Sequence, residues 1–165
     1  MQATKRFLSL VIIILAVNAA GFGTAAATSF PKGCEASGFQ YDGLELVLNE
    51  EGKQTLYFIK NNDRQGITLK YREDKAVFMS AGWQTDVSPR RWAAFAADEK
   101  NMHFQCIARG RHQQEQVDCK QVLELCQYPR VKFAGSNMGN YWVSENKSLR
   151  QTMRAAIKKG ILLRW

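Results

Sequence analysis

Residues 44–72, LELVLNEEGKQTLYFIKNNDRQGITLKYR, decide the fold class. Leu44, Leu46 and Leu48 alternate with Glu45, Val47 and Asn49, and Glu51-Gly52 then marks a turn. Leu56 to Ile59 resumes as a strand carrying the aromatic pair Tyr57 and Phe58. Asn61, Asn62, Asp63 and Gly66 make a second polar turn, after which Ile67, Leu69 and Tyr71 alternate with Thr68, Lys70 and Arg72. A two-residue period sends successive side chains to opposite faces of a sheet. Three such runs joined by short turns predict an antiparallel meander.

The same pattern extends outward. Val77 to Met79 and Trp92 to Ala96 are shorter strand candidates, the second entered through Pro89. Met102 to Ala108 places Phe104 and Cys106 on one face and His103 and Gln105 on the other, the solvent side. Tyr128 to Phe133 and Tyr141 to Val143 follow, split by Gly135, Asn137 and Gly139. Short strands at roughly ten-residue spacing predict a mainly β domain, a small antiparallel sandwich or barrel. Asp118 with Gln121 starts a helical turn around Val122 and Leu123. One full helix is expected near the C-terminus. Ser148 and Gln151 form a capping-box pair, Leu149, Met153, Ala156 and Ile157 share a face, and Gly160 stands where a C′ glycine belongs. Ile161 to Arg164 reads as a final strand.

The first residues read as a secretory leader. Lys5 and Arg6 are followed by an apolar run from Phe7 to Val17 and then by small residues. Eleven apolar residues suit a signal peptide, whereas a spanning helix needs roughly 20. Cleavage fits after Ala20 or after Ala27, with Ala27 preferred, so residues 1–27 are the expected signal peptide and 28–165 one strand-rich domain. No later segment is long and apolar enough to be a transmembrane helix. A lipoprotein signal does not fit, because Lys32 stands just before Cys34. Loss of Lys5 and Arg6 lowers the formal charge from +8 to +6.

Cys34, Cys106, Cys119 and Cys126 all lie beyond the leader. An even number in a small exported domain reads as two disulfides, with three connectivities open. Cys106 and Cys119 flank a hairpin tip at Arg109-Gly110-Arg111-His112, and pairing them leaves Cys34 for Cys126. A zinc site of cysteine pairs needs C-x-x-C spacing, which is absent, so no metal is expected.

Catalytic patterns are weak. His103 and His112 are the two histidines, and cysteines committed to disulfides cannot act as nucleophiles. Ser80, Ser88, Ser136 and Ser144 sit in no G-x-S-x-G elbow, and Asp98-Glu99 reads as a solvated turn. Neither catalytic residues nor a cofactor are expected. Trp83, Trp92, Trp142 and Trp165 are read as core in preference to a ligand platform. Trp165 ends the chain as outer-membrane barrels often end, but a capped helix precedes it and strands long enough to span are missing.

A basic surface is the strongest binding feature. Arg150, Arg154 and Lys158 recur every four residues on the C-terminal helix, with Lys147 just before it. Arg90, Arg91, Arg109, Arg111 and Arg130 are further candidates. Positive charge favours acidic partners: an acidic envelope protein, anionic cell-wall polymer or lipid headgroups. Nucleic acid is not expected for an exported chain.

Phe30-Pro31-Lys32-Gly33-Cys34, Trp92-Ala93-Ala94-Phe95-Ala96, Cys126-Gln127-Tyr128-Pro129-Arg130-Val131-Lys132-Phe133, residues 136–144 (SNMGNYWVS) and residues 159–165 (KGILLRW) together carry a family likeness. The chain resembles the enhanced entry protein EnhB family of intracellular Gram-negative pathogens over essentially all of the expected mature chain. The resemblance implies an exported, periplasmic protein linked to host-cell entry or intracellular survival. It supplies no catalytic or ligand-binding residues. The expected function is therefore a non-enzymatic accessory protein that binds another envelope component. An inhibitor of cell-wall lytic enzymes and a binder of anionic polymer through the basic helix face are the alternatives.

Overall fold

The computed structural model describes residues 30–36, 39–72, 83–110, 113–132 and 139–162. In chain order the elements are β1 (Gln40–Asp42), β2 (Glu45–Leu48), β3 (Thr55–Asn61), β4 (Gly66–Tyr71), β5 (Gln84–Val87), β6 (Trp92–Ala97), β7 (Met102–Arg109), β8 (Gln114–Val117), α1 (Cys119–Val122), β9 (Leu123–Pro129), β10 (Tyr141–Lys147) and α2 (Leu149–Lys158). The protein is mainly β, half strand and about one-eighth helix, with antiparallel sheets and one full C-terminal helix. The expected strand at Val77 to Met79 and the expected leader lie outside the described residues. Among the described residues no helix is long and apolar enough to cross a membrane.

The strands form two sheets. One has the order β1-β2-β7-β4-β5, with β8 pairing the same edge of β7 as β2 but farther along it. The other has the order β10-β6-β3-β9. The expected meander is therefore wrong in its pairing: β2 and β4 lie in the first sheet and β3 in the second. The side chains explain why. Leu56 and Phe58 on one face of β3, and Tyr57 and Ile59 on the other, are all buried. A strand apolar on both faces needs cover on both sides. β4 carries exposed Lys70 on one face and can border solvent.

That requirement produces three layers. Between the two sheets lie Leu46, Leu48, Tyr57, Ile59, Ile67, Leu69, Phe95 and Phe104. Beyond the four-stranded sheet a second core joins Leu56, Phe58, Trp92, Ala94 and Ala96 to Ala156, Ile161 and Leu162, with Phe30, Leu149, Met153 and Ile157 packed on it. β6 serves both cores. Ala94 and Ala96 lie in the layer beneath α2, where small side chains leave room for a helix. On the opposite face Phe95 packs edge-on to Trp83 (ring centroids 4.8 Å apart) and Phe104 (5.7 Å), and tilted against Trp142 (5.0 Å). Trp92 is thus a core residue, Trp83 and Trp142 are partly buried against the inter-sheet core, and Trp165 lies outside the described residues.

Local signals decide the helix ends. The Ser148 side chain accepts from the Gln151 backbone N–H, and Gln151 reaches back to the Ser148 N–H. At the other end Gly160 takes φ 70°. The Gly160 N–H bonds the Ile157 carbonyl at 2.9 Å, and the Ile161 N–H bonds Ala156 at 3.0 Å. These two bonds make a Schellman motif. It corrects the final strand expected from Ile161: Ile161 and Leu162 fold back over the helix end and are buried. A second correction concerns β9, which runs from Leu123 to Pro129, earlier than Tyr128 to Phe133. One turn of α1, capped by Asp118, is followed at once by extended chain in register with β3.

Both disulfides are present, Cys34–Cys126 and Cys106–Cys119, with Cα separations of 5.4 and 5.3 Å. Cys106–Cys119 joins β7 to α1 within the inter-sheet core. Cys34–Cys126 lies in the outer core and pins the N-terminal segment to β9. The Glu35–Gln127 bridge and a 2.7 Å bond from the Tyr128 hydroxyl to the Lys32 carbonyl hold the same segment. The two bonds close loops of very different length, 92 and 13 residues in sequence separation. Chain entropy alone then gives about 4.5 kcal/mol for Cys34–Cys126 and about 3 kcal/mol for Cys106–Cys119. Urea unfolding of the two double-alanine variants should show the larger loss for Cys34→Ala/Cys126→Ala. A larger loss for the short loop would contradict this ordering.

Candidate functional site

The pairing registers bring four connections to one end of the sandwich. Lys60 of β3 and Lys147 of β10 both pair with Trp92 at the start of β6. Gly66, opening β4, pairs with Arg109 at the end of β7, and Ile67 pairs with Val87 at the end of β5. The β3–β4 turn, the β5–β6 turn, the β7–β8 tip and the β10–α2 junction are therefore neighbours.

Asn61 holds this end together. It is fully buried, and its amide donates to the carbonyls of Gln65 (2.7 Å) and Val87 (2.8 Å) while its side-chain oxygen accepts from the Asp63 N–H. Its backbone also exchanges bonds with the next turn, donating to the Arg91 carbonyl and accepting from the Arg90 N–H. One buried asparagine with its hydrogen bonds satisfied thus sets the β3–β4 turn against the β5–β6 turn.

The β5–β6 turn carries two arginines outward. The Arg91 N–H bonds the Ser88 carbonyl at 3.0 Å, closing a four-residue turn with Pro89 second and Arg90 third. Arg90 has φ 60°, the left-handed backbone that a type II turn requires at its third position. Glycine or asparagine is usual there, and a long side chain costs on the order of 1 kcal/mol. The Arg90 guanidinium donates to the Asn62 side-chain oxygen, and the Ser88 N–H donates to Asn146, which joins the turn to β10.

Charge follows from this geometry. Arg64, Arg90, Arg91, Lys147 and Arg150 are exposed at or beside this end, and none pairs with a carboxylate among the described residues. Of the carboxylates nearby, Glu124 pairs with Lys60 at 3.0 Å and Asp86 with Arg109 at 3.0 Å, Asp63 accepts from the Gln65 N–H within the β3–β4 turn, and Glu145 is exposed on β10. Lys147 closes β10 and does not belong to the helix. Arg150, Arg154 and Lys158 are exposed along α2, which runs back beside β10 until Lys159 covers the Tyr141 ring at 4.9 Å. Eight residues of helix carry that stripe about 12 Å from the pole. Arg130 lies at the opposite end, and Arg111 and His112 lie outside the described residues. An array of unpaired cations raises the local concentration of anions and attracts acidic surfaces.

The opposite end differs. A cleft of about 540 Å³ opens there, lined among others by Phe39, Val47, Asn49, Tyr57, Gln127 and Arg130. Its rim mixes Glu35, Glu50 and Glu51 with Lys53. Burial pushes the Tyr57 hydroxyl up to about 12, so it stays protonated at neutral pH. Among the described residues the lining holds no histidine or cysteine. Asp98 and Glu99 also lie at this end, where both of their N–H groups donate to the Asn140 side chain at 3.3 Å and the Asn140 amide donates to Glu99. This clamps a turn, as expected, but one whose Asp98 and Glu99 are half-buried and bonded where the sequence suggested solvated residues.

His103 corrects another expectation. Its side chain is only 13% exposed and faces Glu45, although its strand face was read as solvent. Glu45, Val47 and Thr68 on that face are buried as well.

Asn61→Ala strips a partner from the buried Val87 carbonyl, which costs about 1–3 kcal/mol, and from the part-buried Gln65 carbonyl, which costs less. Denaturant unfolding should show a loss of about 2–4 kcal/mol, with amide shifts concentrated at 62–65 and 88–91. A loss under about 0.5 kcal/mol would show that Asn61 does not organise this end. No family model, no curated protein and no solved structure matches the chain.

Proposed function

We propose that the protein is an exported, non-enzymatic accessory protein of the bacterial periplasm that binds another envelope component and supports host-cell entry or intracellular survival. The observation that carries the binding reading is the basic pole: exposed cations without carboxylate partners, gathered from separate connections by the buried Asn61. Two disulfides and no free cysteine suit an oxidising compartment. The EnhB likeness supplies the link to host cells.

Crosslinking the tagged protein in living cells and identifying the captured material tests this reading. One dominant envelope protein supports it, and loss of that partner from a variant with Arg90→Gly, Arg91→Gln and Lys147→Gln assigns the surface. Turnover of a cell-wall, peptide or ester substrate, abolished by a single substitution, would overturn it.

The length of the cationic stripe favours one second reading, direct binding of anionic cell-wall polymer or lipid headgroups. Such binding should collapse between 0.1 M and 1 M salt, as the screening length falls from about 10 Å to about 3 Å. Replacing Arg150, Arg154 and Lys158 by glutamine should weaken it further. Salt-independent sedimentation with cell walls or anionic vesicles would exclude it.

A further inference from the structure

The outer face of the six-stranded sheet holds a second polar cluster, distant in kind from the basic pole. Asp42 and Glu45 close the β1–β2 hairpin and are register partners across it. Gly43, at the first position of that two-residue turn, has φ 60°, as tight hairpin turns require. Val47 pairs with His103, so the imidazole of β7 rises on the same face, next to Glu45.

The Glu45 carboxylate is divided in its partners. Oε1 accepts from Arg72 at 2.9 Å and from Gln105 at 3.3 Å. Among the described residues Oε2 accepts no hydrogen bond, although Glu45 is only 6% exposed. It faces His103 Nδ1 at 3.4 Å, and among the same residues that nitrogen also has no hydrogen-bond partner. Asp42 Oδ2 lies 4.0 Å from the same nitrogen, and the three ligand atoms fall within 4.8 Å of one another. A buried carboxylate oxygen and a buried imidazole nitrogen left without a hydrogen bond cost about 1–3 kcal/mol apiece.

From this geometry we infer that Asp42 Oδ2, Glu45 Oε2 and His103 Nδ1 form a binding site for a late first-row divalent cation such as Zn²⁺. Ligands about 2.0–2.1 Å from a tetrahedral ion stand about 3.3 Å apart, close to the 3.4 Å between His103 and Glu45, whereas Asp42, now 4.0 Å from His103, must turn inward to complete the set. Asp42 is 62% exposed, so the fourth position opens to water. One imidazole with two carboxylates suits zinc, nickel or cobalt; calcium and magnesium require more oxygen ligands. Arg72 and Gln105 fix the rotation of Glu45 by holding Oε1, which aims Oε2 at the site. Arg72 also places a positive charge close by. With Asp42 and Glu45 ionised and Arg72 charged the cluster sums to −1, so binding is weaker than at a site of three anionic ligands.

Calorimetric titration of Zn²⁺ into chelator-treated protein with both disulfides formed tests this, together with NMR of the imidazole nitrogens. The site predicts one equivalent of Zn²⁺, a shift of His103 Nδ1 larger than that of its Nε2, and no response to Ca²⁺. Asp42→Asn should weaken binding about tenfold or more and His103→Gln should abolish it, each in protein that still unfolds cooperatively. The inference is overturned if Zn²⁺ shifts His112 and leaves His103 unmoved, if both variants bind as the parent does, or if Nδ1 carries a proton donated to Glu45 that Zn²⁺ does not displace.

Discussion

The structure depends on one constraint: β3 and β6 are apolar on both faces and must be covered twice. Each fully buried Leu, Ile or Phe contributes roughly 1.5–3 kcal/mol. Leaving Leu56 and Phe58 on a solvated face would forfeit several such terms. A two-layer sandwich cannot satisfy both sides. The third layer, α2 with the segment around Phe30 and Cys34, supplies the missing cover. Its parts are joined by devices placed where they are needed. The Schellman turn folds Ile161 and Leu162 onto the outer core, and Cys34–Cys126 holds the N-terminal segment over the same face.

Function follows from where this arrangement sends its connections. Strand connections, whether they cross between the sheets or turn within one, lie at the two ends of the sandwich and leave the flat faces to packing or to polar pairs. One end gathers cations without carboxylate partners around Asn61; the other opens a cleft of mixed charge. The outer face of the six-stranded sheet is neither end, and it carries the Glu45 cluster. The proposed binding role rests on the first of these surfaces.

Much of the fold was legible in residues. Alternation in 67–71 and 102–108 found β4 and β7, and the Ser148–Gln151 pair and Gly160 found both ends of α2. The Cys106–Cys119 pairing was suggested by a hairpin, which β7 and β8 form. What misled was adjacency. Three neighbouring strands imply a meander only if one face of each can be wet, and Leu56-Tyr57-Phe58-Ile59 already says that β3 has no wet face. The site was less legible. Lys147, Arg150, Arg154 and Lys158 could be named from spacing, but the gathering of Arg64, Arg90 and Arg91 with Lys147 depends on registers between strands far apart in sequence. Asn61 looked like one of several turn residues; burial alone distinguishes it from Asn62. His103 and Glu45 alternate with apolar neighbours and so read as solvent-facing, whereas the fold buries them against each other.

The claim that the basic pole is the working surface can be tested by position. A photo-crosslinking residue introduced at Arg64, Arg91 or Arg150, and separately at Glu51 or Lys100 at the opposite end, would be activated in cells exporting the protein. The account predicts a discrete adduct from the first set and none from the second. Adducts confined to Glu51 and Lys100 would contradict it and move the binding surface to the cleft.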